Sequence, residues 1–208
     1  MNEENLEFFM SAFREITNIG MGNAVSSLSM MLNKKVDISV PNLEVIKLSD
    51  IFLNMEDPDE IYACSYVKME GELNSSLVFL IEKDSVKRLI KESVGMEIPD
   101  ITDLDELSTS MIGELGNIMF GSYTSAISQF LQLNLQVTPP QVAVDTFAAL
   151  IAESIVMSIT FEDEVILTET EIQVEDWENI IKGKIVFLMN EENRNKLFEF
   201  VKKIFYGG

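Results

Sequence analysis

The sequence predicts an α+β fold made of two related halves, with long helices packed on a mostly antiparallel sheet that the halves share. Three observations carry this expectation. A polar pattern, Ser11, Glu15, Asn18, Gly22 and Pro41, recurs 99 residues later as Ser110, Glu114, Asn117, Gly121 and Pro140. Val78, Phe79 and Leu80 recur as Val186, Phe187 and Leu188, now 108 residues apart, so nine residues are inserted in the second half. Strand-like segments are joined by short loops more than by helices, which favours antiparallel pairing over a doubly wound parallel sheet. Each half would hold an incomplete sheet, so 1–208 is expected as one domain, with pseudo-twofold related repeat halves at about 1–98 and 99–208.

Taken in order, Leu6, Phe9, Met10, Phe13, Ile16, Ala24, Leu28 and Met31 recur at helical spacing and predict a long amphipathic helix over 6–32, with Asn5 as a cap. The alternating stretch 36–40 reads as a strand ended by Pro41, which cannot donate to a sheet ladder and marks a turn or strand edge. Residues 61–69 and 77–81 read as further strands. Asp84 opens a helix through Val94, and Gly95 suits the left-handed position that ends one. After a linker around Pro99, Thr102 and Asp105 give a capping-box-like start to a second long helix through Leu131. Residues 135–137 read as a strand before Pro139 and Pro140, and 185–189 as the echo of the earlier strand. The order in each half is thus helix, three strands, helix. Trp177, with Glu175, Asp176 and Glu178, reads as a loop in the inserted region.

Composition narrows the chemistry. An apolar fraction of 47% and a mean hydropathy of +0.15 place the 208-residue chain among folded globular proteins. Thirty-five acidic against 15 basic residues give a formal charge of −20, a field that repels nucleic-acid phosphates and anionic lipid. A protein partner with a basic patch is favoured instead. With no histidine, His-based triads and the commonest metal ligand are excluded. The one cysteine, Cys64, lies in an apolar alternating stretch and reads as a buried structural thiol. No apolar run approaches the roughly 18 residues of a membrane span, and the acidic N-terminus is unlike a secretory leader, so no membrane insertion and a cytoplasmic location are expected.

Residues at i, i+4, i+7 and i+11 share one stripe of a helix, so each copy of the pattern aligns a hydroxyl, a carboxylate, a carboxamide and a gap. Glycine within a helix costs about 1 kcal/mol relative to alanine, so Gly22 and Gly121 require a reason. Either they let the two long helices pack together, or they clear space for a visitor. A carboxamide accepts a hydrogen bond from water and donates one to an oxyanion, yet is neither a strong base nor a tight metal ligand. That profile suits positioning a water for in-line attack on a phosphoryl group, with the glutamate engaging a cation on the partner. No P-loop, HExxH or GxSxG pattern competes.

At these residues the sequence resembles the CheC family of chemotaxis phosphatases, which also includes CheX and FliY proteins. The family signature of Asp or Ser, three residues, Glu, two residues, Asn, twenty-two residues and Pro is matched at Ser11, Glu15, Asn18 and Pro41. It is matched again at Ser110, Glu114, Asn117 and Pro140. The resemblance covers essentially the whole chain and implies a duplicated CheC-like fold and hydrolysis of the aspartyl phosphate on the response regulator CheY. It implies that Glu15 and Glu114 dock on the regulator's lysine and that Asn18 and Asn117 orient the water. It also implies no cofactor held by this chain, with Mg²⁺ supplied by CheY. A second implied partner is the deamidase CheD, whose candidate surface is Asp145–Ile155, carrying Asp145, Phe147, Leu150, Ile151, Glu153 and Ile155; core packing is the competing reading of that stripe. A non-catalytic adaptor for phospho-CheY or CheD is the alternative to a phosphatase. A structural part of the flagellar switch is disfavoured, because the chain has no room for a switch domain.

Overall fold

A computed structural model describes residues 3–53, 57, 59–158 and 164–206. The first half runs α1 (Glu3–Leu32), β1 (Val36–Ser39), β2 (Leu43–Lys47), α2 (Leu48–Leu53), β3 (Ile61–Gly71), β4 (Ser75–Glu82) and α3 (Lys83–Val94). A 3₁₀ turn, Ile101–Asp103, leads to the second half. There α4 (Glu106–Leu131), β5 (Leu135–Val137), β6 (Gln141–Thr146), α5 (Phe147–Ser158), β7 (Glu164–Val174), β8 (Ile181–Leu188) and α6 (Glu191–Tyr206) repeat the same order. Among the described residues, each half therefore has one strand and one helix more than the sequence predicts.

Local signals explain most boundaries. Gly95, at φ 73°, adopts the left-handed conformation and returns its N–H to the Lys91 carbonyl, ending α3 as expected. Asp105 caps α4 by accepting from the Ser108 N–H at 2.8 Å, and Asp100 caps the preceding 3₁₀ turn through the Thr102 N–H. Two caps differ from expectation. Helix α1 starts at Glu3, which places Asn5 inside its first turn, and α3 starts at Lys83, which places Asp84 in its first turn. An acid there still complements the helix dipole.

Among the described residues, eight strands form one sheet, ordered β1-β7-β8-β4-β3-β5, with β2 also on β7 and β6 also on β3, and every pairing is antiparallel. Strands β1 and β2 belong to the first half but pair with β7 of the second; β5 and β6 belong to the second but pair with β3 of the first. The registers match across the halves: Lys47 faces Glu164 as Thr146 faces Ile61. Equivalent residues are thus 99 apart in β2 and β6 and 103 apart in β3 and β7, so four of the nine inserted residues lie between β6 and β7. The remainder follow β7, where the turn carrying Trp177 lies. At the centre Val78 faces Val186, the very residues the repeat equates. Pro41 and Pro140 sit where β1 breaks from β2 and β5 from β6, positions at which a missing N–H costs no ladder bond.

One face of the sheet is covered by α1 and α4 with α3 and α6, burying Phe9, Phe13, Ile16, Phe79, Ile112, Phe120, Tyr123 and Phe187 in the larger core. The opposite face carries α2 and α5 over Tyr62, Cys64, Val78, Leu80 and Val186. Cys64 is buried, as expected, and burial pushes its thiol up to about 12. Trp177 lies in the loop between β7 and β8, as expected, yet its side chain is buried in the larger core, and the loop is tied to the turn after α1 by the Lys34–Asp176 ion pair at 3.2 Å.

Candidate functional site

Helices α1 and α4 lie side by side on the sheet. Their buried stripes are the apolar ones, so the polar stripes must point away. Ser11, Glu15, Asn18 and Gly22 are all exposed on α1; Ser110, Glu114 and Asn117 are exposed on α4, with Gly121 half-buried. Among the described residues, none of the Ser, Glu and Asn side chains of the two stripes has a hydrogen bond or ion pair within the chain. Carboxylate and carboxamide, one turn apart, therefore stand unengaged on open helix surface in both halves.

The two explanations for the stripe glycines separate here. A Cβ built at Gly22 or at Gly121 meets nothing within 4 Å, so neither residue serves contact between the helices. That task falls to Gly20, where a Cβ would stand 3.3 Å from the Tyr123 Cα. The stripe glycines leave the helix backbone bare on its outer side, beyond the amide of Asn18 or Asn117.

What lies beneath the stripes differs between the halves. Thr17, next to Asn18, is fully buried; its hydroxyl donates to the Phe13 carbonyl at 2.9 Å and meets the Tyr123 hydroxyl at 2.6 Å. Tyr123 also approaches Thr168 of β7 at 3.5 Å, so one phenol joins α4, α1 and the sheet. Burial pushes that phenol up to about 12. In the second half the residue equivalent to Thr17 is Gly116, and a Cβ there would overlap Ser65 of β3, the counterpart of Thr168. Helix α4 thus rests directly on the sheet where α1 stands on a hydroxyl bridge. The network is not legible in the repeated pattern, because the position equivalent to Tyr123 is Ala24, which has no hydroxyl to offer.

The candidate partner surface on α5 divides. Phe147, Leu150 and Ile151 are buried against Tyr62 and the sheet, with the Tyr62 and Phe147 rings 5.7 Å apart edge to face. Asp145 is exposed and accepts from the Thr146 N–H at 2.7 Å. Outward from α5 project Ala152, Glu153 and Val156, the last 78% exposed. Among the described residues, no group of three or more Cys, Asp or Glu is placed to hold a metal ion, and no helix is long and apolar enough to cross a membrane.

Comparison with known proteins gives the arrangement its context. A model of the CheC-like family matches residues 8–45 and 107–144, one span around each stripe. The CheY-P phosphatase CheC of Bacillus subtilis is 30% identical over 191 residues, covering 91% of both chains. The flagellar motor switch phosphatase FliY of the same organism is 30% identical over 140 residues, covering 65% of this chain and 35% of that protein. Among solved structures, Thermotoga maritima FliY superposes with a TM-score of 0.71 at 23% identity over 98% of both chains.

Proposed function

The chain belongs to the CheC-like family, and from that premise we propose that it hydrolyses the aspartyl phosphate of phosphorylated CheY at two sites, Glu15 with Asn18 and Glu114 with Asn117. The observation that carries this reading is the pair of unengaged Glu/Asn stripes, each followed by a glycine whose missing side chain leaves the helix open to a docked partner. The carboxylate of Glu15 or Glu114 pairs with a lysine of the regulator and fixes its orientation. The amide of Asn18 or Asn117 then accepts a hydrogen bond from the attacking water and aligns it with the phosphorus. Positioning of this kind accounts for catalysis where the transition state needs little covalent help. The regulator supplies Mg²⁺ and the phosphorylated aspartate; this chain supplies the water's orientation.

The test is the decay of phospho-CheY with Mg²⁺ and catalytic amounts of this protein. Acceleration with turnover is expected, and Asn18→Ala with Asn117→Ala should lower the rate on the order of 10²-fold while docking persists. An unchanged rate in the double variant would leave the stripes with a binding role alone.

CheD docks, in the same proposal, along the outward side of α5. With Phe147, Leu150 and Ile151 turned into the sheet, the groups left to meet it are Asp145, Ala152, Glu153 and Val156. Asp145→Lys combined with Val156→Ser should weaken capture of purified CheD, and undiminished capture would remove α5 from that interface.

A further inference from the structure

The Ser, Glu, Asn and Gly positions follow one another at intervals of four, three and four, and continuing that alternation one step toward the N-terminus reaches Phe8 in α1 and Leu107 in α4. Both are apolar and both continue the line of the stripe: Leu107 is exposed, whereas Phe8 is half-buried at the edge of the larger core. A solitary exposed leucine needs no explanation. A large apolar residue at the same register of two functional stripes does, above all when the fold treats the two copies differently.

The difference arises at the ends of α3 and α6. Helices α3 and α6 start at equivalent residues, Lys83 and Glu191, 108 apart. Helix α3 stops at Gly95, whose left-handed backbone turns the chain away. The equivalent position in α6 is Lys203, which carries no such stop, and α6 runs on through Tyr206. That extra turn brings Phe205 edge-on to Phe8, ring centroids 5.3 Å apart, and beside Phe130 of α4 at 5.9 Å. Phe205 itself remains 51% exposed, and Ile204 beside it 41%. At the second stripe the shorter α3 leaves Leu107 with 49% of its surface open.

Resting on the phosphatase reading, we infer that each stripe has a fifth member, an apolar anchor that seats the phosphorylated regulator one turn ahead of the Ser. At the second site the anchor is Leu107. At the first it is the Phe205 ring, laid over Phe8 by the extra turn of α6. The two sites share their reactive groups and differ in the surface that holds the partner, so they differ in affinity for one regulator rather than in the chemical step. The anchor acts through docking: it touches the partner's surface, and the water and phosphorus stay with Asn and Glu.

Single-site proteins isolate the effect. The Asn18→Ala protein retains the second site and the Asn117→Ala protein the first. Leu107→Ser, read in the former, should raise KM roughly five- to tenfold with kcat unchanged, as truncating a central interface residue does. Phe205→Ser, read in the latter, should do the same. Binding of CheY loaded with beryllofluoride supplies a readout independent of turnover: docking persists at an Asn→Ala site, so two sites contribute to the isotherm, and the one whose anchor is substituted should weaken by the same factor while the other holds. Leu107 packs little within the chain, so its substitution leaves the thermal midpoint in place; Ile204→Ser is the companion to Phe205→Ser should the latter loosen α6. Single-site proteins that turn over while KM and beryllofluoride-CheY affinity ignore these substitutions, or respond to both equally at either site, would overturn the anchors and leave the phosphatase intact. Single-site proteins that neither hydrolyse phospho-CheY nor bind the loaded regulator would overturn the phosphatase reading, and the anchors with it.

Discussion

At the residue scale, the role proposed for the stripe glycines sets function against stability. Glycine in an exposed helix interior is unfavourable, and at Gly22 and Gly121 nothing nearby would resist a methyl group. Gly22→Ala and Gly121→Ala should each therefore stabilise the fold by about 0.5–1 kcal/mol, measured by denaturant unfolding. The same methyl groups stand where a docked regulator would approach the helix, and a displacement of under 1 Å in the water's position is expensive, so phospho-CheY hydrolysis should fall on the order of tenfold or more. A variant that gains stability and keeps its full rate would show that the glycines serve neither site. Spacing alone makes these residues legible in the sequence, because i, i+4, i+7 and i+11 fix one helix face. Which glycine serves packing is not legible: Gly20 and Gly22 differ by two positions in one helix, and only the neighbour at 3.3 Å tells the packing glycine from the open one.

At the scale of elements, the two long helices are supported differently, and the difference is testable at Tyr123. Its hydroxyl joins Thr17 of α1 to Thr168 of β7 inside the core. Tyr123→Phe keeps the ring against Phe13 and Phe187 and removes only the oxygen. A loss of about 1 kcal/mol is expected, since the Thr17 hydroxyl still donates to the Phe13 carbonyl. Because Thr17 adjoins Asn18, turnover by an Asn117→Ala protein should drop more than turnover by an Asn18→Ala protein; equal drops would deny α1 any special support. Elements with strong local signals are legible in the sequence: both long helices by their period, β5 and β4 by apolar content, the end of α3 by Gly95. Strand β7, EVILTETEIQV, is not, because the polar residues Thr168 and Thr170 occupy buried positions where an apolar alternation would be expected. Strands β2 and β6 are illegible for another reason: each follows a proline, and each has mostly half-buried side chains that carry little apolar pattern.

At the scale of the molecule, the exchange of strands decides whether the halves can live apart. The first half gives β1 and β2 to β7, the second gives β5 and β6 to β3, and the halves meet again along β4 and β8. Cutting the chain near residue 98 would strip β3 of both its outer partners and leave β4 with a bare edge, while β1 and β2 would have no strand to join. Unpaired backbone and the uncovered faces of Phe79, Leu80 and Val78 would follow, a combination that favours aggregation or self-pairing over a monomer. Residues 1–98 and 99–208 expressed separately should therefore give no cooperative unfolding transition as monomers, and mixing them during refolding should restore one species of full mass with a single transition. The nine inserted residues do not disturb this exchange, since they fall between paired segments and leave the registers of β2 on β7 and β6 on β3 equivalent. The first half could also satisfy its edges with a second copy of itself, β1 and β2 of each pairing with β3 of the other. Size-exclusion chromatography tells the outcomes apart: a folded dimer of 1–98 would support the exchanged pairing, whereas a monomer of 1–98 that unfolds cooperatively would show that each half completes its own sheet and that the observed exchange is dispensable.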